Sequence, residues 1–116
     1  MASITRTVLF ASEDVDSASA DTLFTVPTSP SSLILINGRL RFVNHTGGAV
    51  TVKAWAVPLS GSALNSNLFL PTTSIGANSY LDVDIPQMGP GAFVQAQAGA
   101  ATSITAIPLD GAYYAQ

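Results

Sequence analysis

His45 is the only histidine in the sequence, so any Ser–His–Asp arrangement would have to use it. It lies in "HTGG", a glycine-rich stretch between two alternating segments that predicts a hairpin turn. A turn is a poor place to hold an imidazole within hydrogen-bond reach of a nucleophile. The sequence also contains no cysteine, which excludes a thiol nucleophile and a thiolate metal site. We therefore predict no catalytic residues and expect that the protein is not an enzyme.

Two groups of carboxylates could do acid–base work or bind a hard cation. Asp82 and Asp84 share one face of the alternating segment "YLDVDI", about 7 Å apart by strand geometry. The alternative is that they form the solvent face of a strand whose other face is core. The stretch "EDVDSASAD" (13–21) is rich in oxygen ligands but lacks the glycine and the bidentate glutamate of an EF-hand loop. We predict a flexible acidic loop there, no metal site and no cofactor.

Aromatic side chains are the better candidates for a binding surface, because they combine large apolar area with a polar tip. Strand parity places Trp55 on the same face as Thr51 and Lys53, either at an interface or at a sandwich edge. Such rings could stack on a sugar or on a protein partner. The triplet Asn44-His45-Thr46 also matches the glycosylation acceptor pattern. The candidate interface residues are Trp55, Tyr80, Phe93, Tyr113 and Tyr114.

Short alternating segments divided by Gly, Pro, Ser and Asn must position these residues. Pro71 removes a ladder donor, which predicts an irregular segment at 68–75. Residues 11–21 read as a loop, 28–32 as a turn, and the tail after 109 as a short edge strand or a mobile end. Gly38 predicts a bulge or a close approach. The predicted strands span 3–10, 22–27, 33–44, 49–57, 80–85, 92–98 and 102–107.

Seven to eight short strands without helical periodicity predict an all-β fold. An antiparallel β-sandwich, either jelly-roll or immunoglobulin-like, fits this number of strands and turns. We predict two parts: residues 1–20 form an N-terminal arm or edge strand plus the acidic loop, and residues 21–116 form the sandwich domain.

Composition limits the partners. The 116 residues carry a net charge of −3 and four cations, too few for a stripe that follows phosphates, so we expect no nucleic acid. No apolar run approaches the roughly 20 residues of a membrane helix, so we expect no membrane. Charged residues make up 9% of the chain, against roughly 25% in typical soluble domains. This fits a subunit of a protein assembly and equally an uncharged β domain rich in Ser and Thr.

The succession from residue 21 to 108 resembles small β-sandwich domains in virion proteins of tailed bacteriophages. The matching pieces begin with "LFTVP" (23–27), "FVN" (42–44), "VTV" (50–52) and "VPLSG" (57–61). The pieces "SIGANSYLDVDI", "GPGAFVQAQAG" and "TSITAI" continue the pattern. The resemblance is one of strands and turns without a catalytic motif.

The resemblance implies a non-enzymatic structural protein of a tailed-phage virion, made in the bacterial cytoplasm. It would act on the capsid as a decoration, cement or spike protein, or as a tail, neck or baseplate accessory subunit. Its partners would be copies of itself, with a trimer as one candidate, and the major capsid protein or other virion proteins. A carbohydrate-binding module is the alternative from another class, with Trp55 or Tyr80 as the platform for a glycan.

Overall fold

The computed structural model describes residues 3–28 and 33–115, and the predicted turn at 28–32 lies almost entirely outside them. One 3₁₀ turn, Asn65–Asn67, is the only helical element among the described residues, and none of them forms a helix that could span a membrane. The strands of the described part are β1 (Ser3–Arg6), β2 (Glu13–Asp14), β3 (Asp21–Thr25), β4 (Ile34–Asn44), β5 (Val50–Val57), β6 (Leu68–Ile75), β7 (Ser79–Asp84), β8 (Phe93–Ala98) and β9 (Ile104–Ala115).

The strands form two antiparallel sheets. Sheet A has the order β1-β9-β4-β7, and β2 pairs with a second part of β9. Sheet B has the order β3-β8-β5-β6. When β1 and β2 are counted as two pieces of one broken strand, sheet A holds strands 1, 8, 3 and 6 and sheet B holds 2, 7, 4 and 5. This is the jelly-roll order, so the predicted β-sandwich is confirmed, and the jelly roll is the correct choice of the two alternatives.

The core lies between the sheets and follows from strand alternation. In β4, Leu40 and Phe42 point inward and are fully buried, while Arg39 points outward and is exposed. In β8, Val94, Ala96 and Ala98 face them from sheet B. Small alanines on one sheet opposite larger side chains on the other let the layers interdigitate.

The N-terminal segment has two different halves. All four side chains of β1 are exposed. Further along, Phe10 is buried and stacks on Phe24 with ring centroids 5.7 Å apart. Val15, inside the predicted acidic loop, is also buried, and the residues before it form β2. The loop prediction is therefore wrong at Glu13–Asp14, because the backbone there pairs with β9.

One further prediction needs correction. The tail is neither an edge strand nor mobile up to Ala115, because β9 continues through it between β1 and β4. The irregular segment predicted at 68–75 is confirmed: it forms a strand, β6, whose pairing with β5 shifts register twice, between Val52 and Ala54 and between Ala54 and Trp55. Sheet B tolerates Pro71 because β6 is an edge strand, where a missing N–H breaks no ladder bond.

Both features predicted at Gly38, a bulge and a close approach, are present. The pairing of β4 with β9 shifts register between Ile36 and Arg39, which makes a bulge. A Cβ on Gly38 would lie 3.0 Å from the Cβ of Ile85, so the backbones approach closely. The bulge directs Arg39 to the outer face of sheet A.

Candidate functional site

One end of the sandwich is closed by short polar turns, and we call it the turn end (45–49, 76–78 and 99–102). Asn44 organises it from inside. Its amide nitrogen donates to the carbonyls of Gly48, Ile75 and Gly76 at 2.8, 2.9 and 3.1 Å. Its carbonyl oxygen accepts from the backbone N–H of Thr46 at 3.0 Å. The single side chain thus ties the β4–β5 turn to the β6–β7 turn.

The same hydrogen bonds determine whether the glycosylation motif at Asn44 is accessible. Asn44 is fully buried and its amide group is already hydrogen-bonded. A glycosyltransferase would need that nitrogen exposed, so the folded chain does not present this acceptor site. The match of the triplet to the pattern is therefore a coincidence of a structural asparagine.

The opposite end, the pocket end (58–64, 86–91 and 113–115), contains a cavity of about 460 Å³. The cavity opens between the end of β5, the start of β6 and the β7–β8 loop. Two large exposed leucines lie in the loop beside it: Leu59 is 64% exposed and Leu64 is 56% exposed. The wall is mainly apolar and carries two side-chain amides; its members include Phe69, Pro86, Met88, Asn67 and Gln87.

Arginines and aspartates form a stripe across the outer face of sheet A. Arg41 holds Asp82 in a two-point contact, with Nε–Oδ1 at 2.7 Å and an Nη–Oδ2 distance of 3.1 Å. Arg39 lies 3.5 Å from Asp84 in the next register pair. Arg6 of β1 reaches Asp110 of β9 at 3.0 Å. The predicted carboxylate pair is thus the solvent face of a strand, and arginines on β4 neutralise it.

These contacts shift the titration of the acidic groups. Hydrogen bonds from Arg41 hold the pKa of Asp82 below its ordinary value. The hydrogen bond from Arg6, with help from the Gly111 N–H, lowers the pKa of Asp110 in the same way. Glu13 differs, because partial burial and the nearby charge of Asp21 raise its pKa. Asp82 and Asp110 are therefore paired carboxylates with lowered pKa values, which are poorly suited to acid–base chemistry near neutral pH.

Two of the predicted interface residues lie on the outer face of sheet B. Trp55 is only 7% exposed, although its register partner Gln95 places it on the outside. The Lys53 ammonium lies 5.3 Å from its ring. Phe93 is half-buried on the same face. A tryptophan with so little free surface offers no platform for a sugar, and in the isolated chain it is a covered residue.

The three tyrosines lie on sheet A, away from that pair, and Tyr80 lies at the opposite end of the sheet from Tyr113 and Tyr114. Tyr80 is 60% exposed near the turn end, but the Arg41 guanidinium covers its ring at 4.0 Å. Tyr113 packs against the core, and burial raises its pKa. Tyr114 lies near the pocket end, opposite Ile34 of β4. The structure therefore does not bring the five predicted aromatic residues into one site.

An apolar row that the sequence patterns did not single out crosses sheet A beside Tyr114. Register pairs place Ile4 of β1, Tyr114 of β9 and Ile34 of β4 side by side. Ile4 is 62% exposed, and the other two are half-buried. The alternation of "SITR" was the available signal, because it marks Ile4 as an apolar residue on one face of a short strand. The register that completes the row was not readable from the sequence.

The remaining candidates for chemistry are structural. His45 is exposed in its turn, where its backbone N–H donates to the carbonyl of Ser103. In the acidic segment, Asp14 accepts from the Thr105 hydroxyl and Asp16 from the backbone N–H of Ala18. Across residues 3–28 and 33–115, no group of three or more His, Cys, Asp or Glu residues is arranged to hold a metal ion.

Comparison with one solved viral structure supports the fold. A chain of the infectious bursal disease virus T13 particle aligns with a TM-score of 0.50 and 10% identity, over 98% of this chain and 30% of that one. A chain from Bacillus endospore appendages, described as disulfide-linked pili, aligns with a TM-score of 0.49 and 13% identity, over 98% and 88%. At such identities the likeness concerns the fold, and this chain spans less than a third of the viral one.

Sequence comparisons add no family. No protein-family profile matches the chain, and no curated protein matches it. The virus and the bacterial appendage are not tailed phages, so the phage assignment stays a prediction.

Proposed function

We propose that this chain is a non-enzymatic structural subunit of a virion, and that it works by assembling with copies of itself and with other shell proteins. The resemblance to β-sandwich virion proteins of tailed phages points to a particle of that kind. A capsid decoration or spike protein is the leading form, and a tail, neck or baseplate accessory subunit is the alternative. The jelly-roll fold, which recurs in viral capsid domains, supports this proposal.

The observation that carries the proposal is the apolar row of Ile4, Tyr114 and Ile34 on the outside of sheet A. An outer sheet face normally carries polar side chains, so a row of large apolar ones that is exposed at Ile4 and half-buried at Tyr114 and Ile34 supports an interaction surface. The pocket end adds Leu59 and Leu64, which are both more than half exposed. Burial of these side chains in an assembly would recover the free energy that their exposure costs.

The weak charge of the surface supports the same function. Three of the four cations are arginines of the stripe, and each lies within 4.0 Å of an aspartate. A surface whose charges are already paired costs less to bring against a neighbour than one with free ions. The glycan alternative lacks similar support, because Trp55 is buried and the Tyr80 ring is covered by Arg41.

Quantitative mass spectrometry of purified particles from the source lysate tests the proposal. We expect the protein in the particles, counted against the major capsid protein. A copy number comparable to that of the shell protein supports a decoration role, whereas a few to a few dozen copies support the tail, neck or a vertex. Absence of the protein from the particles would contradict the virion function.

A further inference from the structure

A β-sandwich with open sheets exposes strand edges. In the described part of this chain, sheet A ends at β7 on one side and at β1 and β2 on the other, and sheet B ends at β3 and β6. Each edge offers unpaired N–H and C=O groups to another strand, and proteins usually block such edges. The edges differ in how well they are blocked.

Most of these edges carry a recognised obstacle to strand addition. Pro71 interrupts β6 in its middle. β7 carries Asp84, whose side chain is 91% exposed, and is followed by Pro86. β3 has an irregular register between Thr22 and Phe24. β2 consists of two acidic residues, Glu13 and Asp14. Bulges, prolines and charges are the devices that keep edges from pairing.

β1 carries the fewest of these devices. Its four residues, "SITR", contain no proline, no glycine and no acidic group, and their pairing with β9 is regular from Ser3 to Arg6. Its shortness is one obstacle, and its one charge, Arg6, is exposed but pairs with Asp110 of the same chain at 3.0 Å. β1 is therefore the least obstructed edge of the described sandwich.

The direction of the free backbone groups can be read from the β1–β9 ladder. Thr7 donates its N–H to the carbonyl of Gly111 at 3.0 Å. Residues alternate along an antiparallel strand between those bonded to the neighbour and those facing away. Thr5 and Ser3 therefore bond to β9, and Ile4 and Arg6 direct their N–H and C=O groups to the open edge.

We propose that β1 pairs with β1 of a second copy of this chain, antiparallel and centred on Thr5, so that the two A sheets become one continuous sheet. In this register Ile4 lies opposite Arg6 of the second copy, and both residues with free backbone groups are satisfied on each side. The two arginines do not face each other directly. The apolar row of Ile34, Tyr114 and Ile4 then ends at the new contact instead of in solvent.

This inference deepens the proposed function, on which it rests, by naming the surface and the partner. A second copy fits because a two-fold axis lets the same short strand supply both sides of the contact. Pairing of two four-residue strands buries less than the roughly 1,000 Å² of a stable interface. We therefore expect a dimer whose fraction depends on protein concentration.

A proline substitution separates the new pairing from the existing ladder. Ile4→Pro removes an N–H that faces the open edge, so the β1–β9 bonds remain. In sedimentation velocity over a concentration series, the wild type should shift from monomer to dimer, and I4P should stay monomeric with unchanged circular dichroism and urea midpoint. Ile4→Val keeps the N–H at the open edge and a β-branched apolar side chain, so it is the matched control and should dimerise like the wild type.

The absence of cysteine makes disulfide trapping specific. Thr5→Cys places two thiols across the two-fold axis, at a Cα separation of about 4.5 Å expected for a non-hydrogen-bonded pair. Mild oxidation should convert T5C to a covalent dimer, whereas T72C, an exposed threonine on another edge, should stay monomeric. A mixture of S3C and T7C chains should cross-link, since these positions also lie opposite each other in the proposed register.

Each result bears on a separate claim. Loss of the dimer in I4P together with cross-linking of T5C supports the pairing. Self-association of I4P equal to the wild type, or cross-linking of T72C as fast as T5C, overturns it while leaving the proposed function in place. A wild type that stays monomeric at every concentration also overturns the pairing, and the copy count in particles then decides the function independently.

Discussion

The turn end and the pocket end of the sandwich are finished in opposite ways. At the turn end the loops are short and their residues are mostly Gly, Ala and Thr. Hydrogen bonds connect them: Asn44 joins two turns, and the N–H of Asn78 donates to the carbonyl of Thr46 at 3.0 Å. This end satisfies its own polar groups and presents little apolar surface.

The pocket end leaves apolar surface uncovered. It combines a cavity of about 460 Å³ with the exposed Leu59 and Leu64. Tyr114 and Ile4, which are paired in sheet A, lie at the same end of the sandwich. A soluble monomer gains nothing from large exposed aliphatic side chains, whereas a subunit buries them against a neighbour. The turn end therefore presents mainly polar surface and the pocket end mainly apolar surface, which the proposed assembly would cover.

We expect the largest loss of stability from a substitution in the core, which both ends share. Phe42→Ala removes a fully buried ring and should lower the free energy of unfolding by about 3–5 kcal/mol. Phe69→Ala, at the half-buried wall of the cavity, should lower the free energy of unfolding by clearly less, because the site is already open to water. Urea denaturation of both variants measures the difference, and equal costs would mean that the pocket end is as tightly packed as the core.

The hydrogen-bonded turn end gives the next effect. Asn44→Ala leaves the buried carbonyl of Ile75 without its donor and should destabilise the fold by about 1–3 kcal/mol, without changing self-association. His45→Ala, at the exposed neighbour, should stay within about 0.5 kcal/mol of the wild type. Urea midpoints together with sedimentation check both statements. A reduced dimer fraction in N44A at full folding would mean that the turn end takes part in assembly.

The arginine–aspartate stripe between the two ends should make stability sensitive to acid. The pKa of Asp82 is lower in the folded than in the unfolded chain, so the unfolded state takes up the proton first. The contribution is complete above the unfolded value of about 3.9 and is lost as the pH falls through the lower folded value. Asp82→Asn should flatten this part of the stability–pH curve, which thermal unfolding from pH 7 to 2 measures.

Arg41→Met is the partner test for the same contact. It removes the hydrogen bonds that lower the pKa of Asp82, so it should flatten the acid profile in the same way as D82N. An acid profile of either variant identical to that of the wild type would show that the stripe contributes nothing to acid sensitivity.

The smallest expected effect on stability is at the exposed side chains. Leu64→Ser at the pocket end and Tyr80→Ser near the turn end both replace residues that are more than half exposed. Each should change the unfolding free energy by less than about 0.5 kcal/mol for lack of buried contacts. In co-sedimentation with purified shell protein, L64S should bind less than the wild type and Y80S should bind equally. The reverse order would assign the contact surface to the turn end.

Much of the fold was predictable because it depends on local alternation. The segments 33–44, 49–57 and 92–98 carry a strict period of two, and the structure places β4, β5 and β8 there within about one residue. The tail was not predictable, because nothing in "DGAYYAQ" shows that β1 and β4 lie on either side of it. β2 was missed for a similar reason, since two acidic residues acquire strand geometry only through their pairing with β9.

The candidate site was less predictable than the fold. Residue type identified the aromatic residues as interface candidates, but burial separates them, with Trp55 covered and Tyr80 open on one ring face. The pairing of Arg41 with Asp82 depends on the register between β4 and β7, which alternation alone leaves undetermined. The same is true of the row formed by Ile4, Tyr114 and Ile34.

Hydroxyl-radical footprinting of the assembled protein against the dispersed protein tests the central claim most directly. Our account predicts that Ile4, Leu59 and Leu64 lose reactivity on assembly, while His45 at the turn end keeps it. Protection of the turn end with an unchanged pocket end, or no protection at either end, would contradict a subunit that assembles through its apolar end.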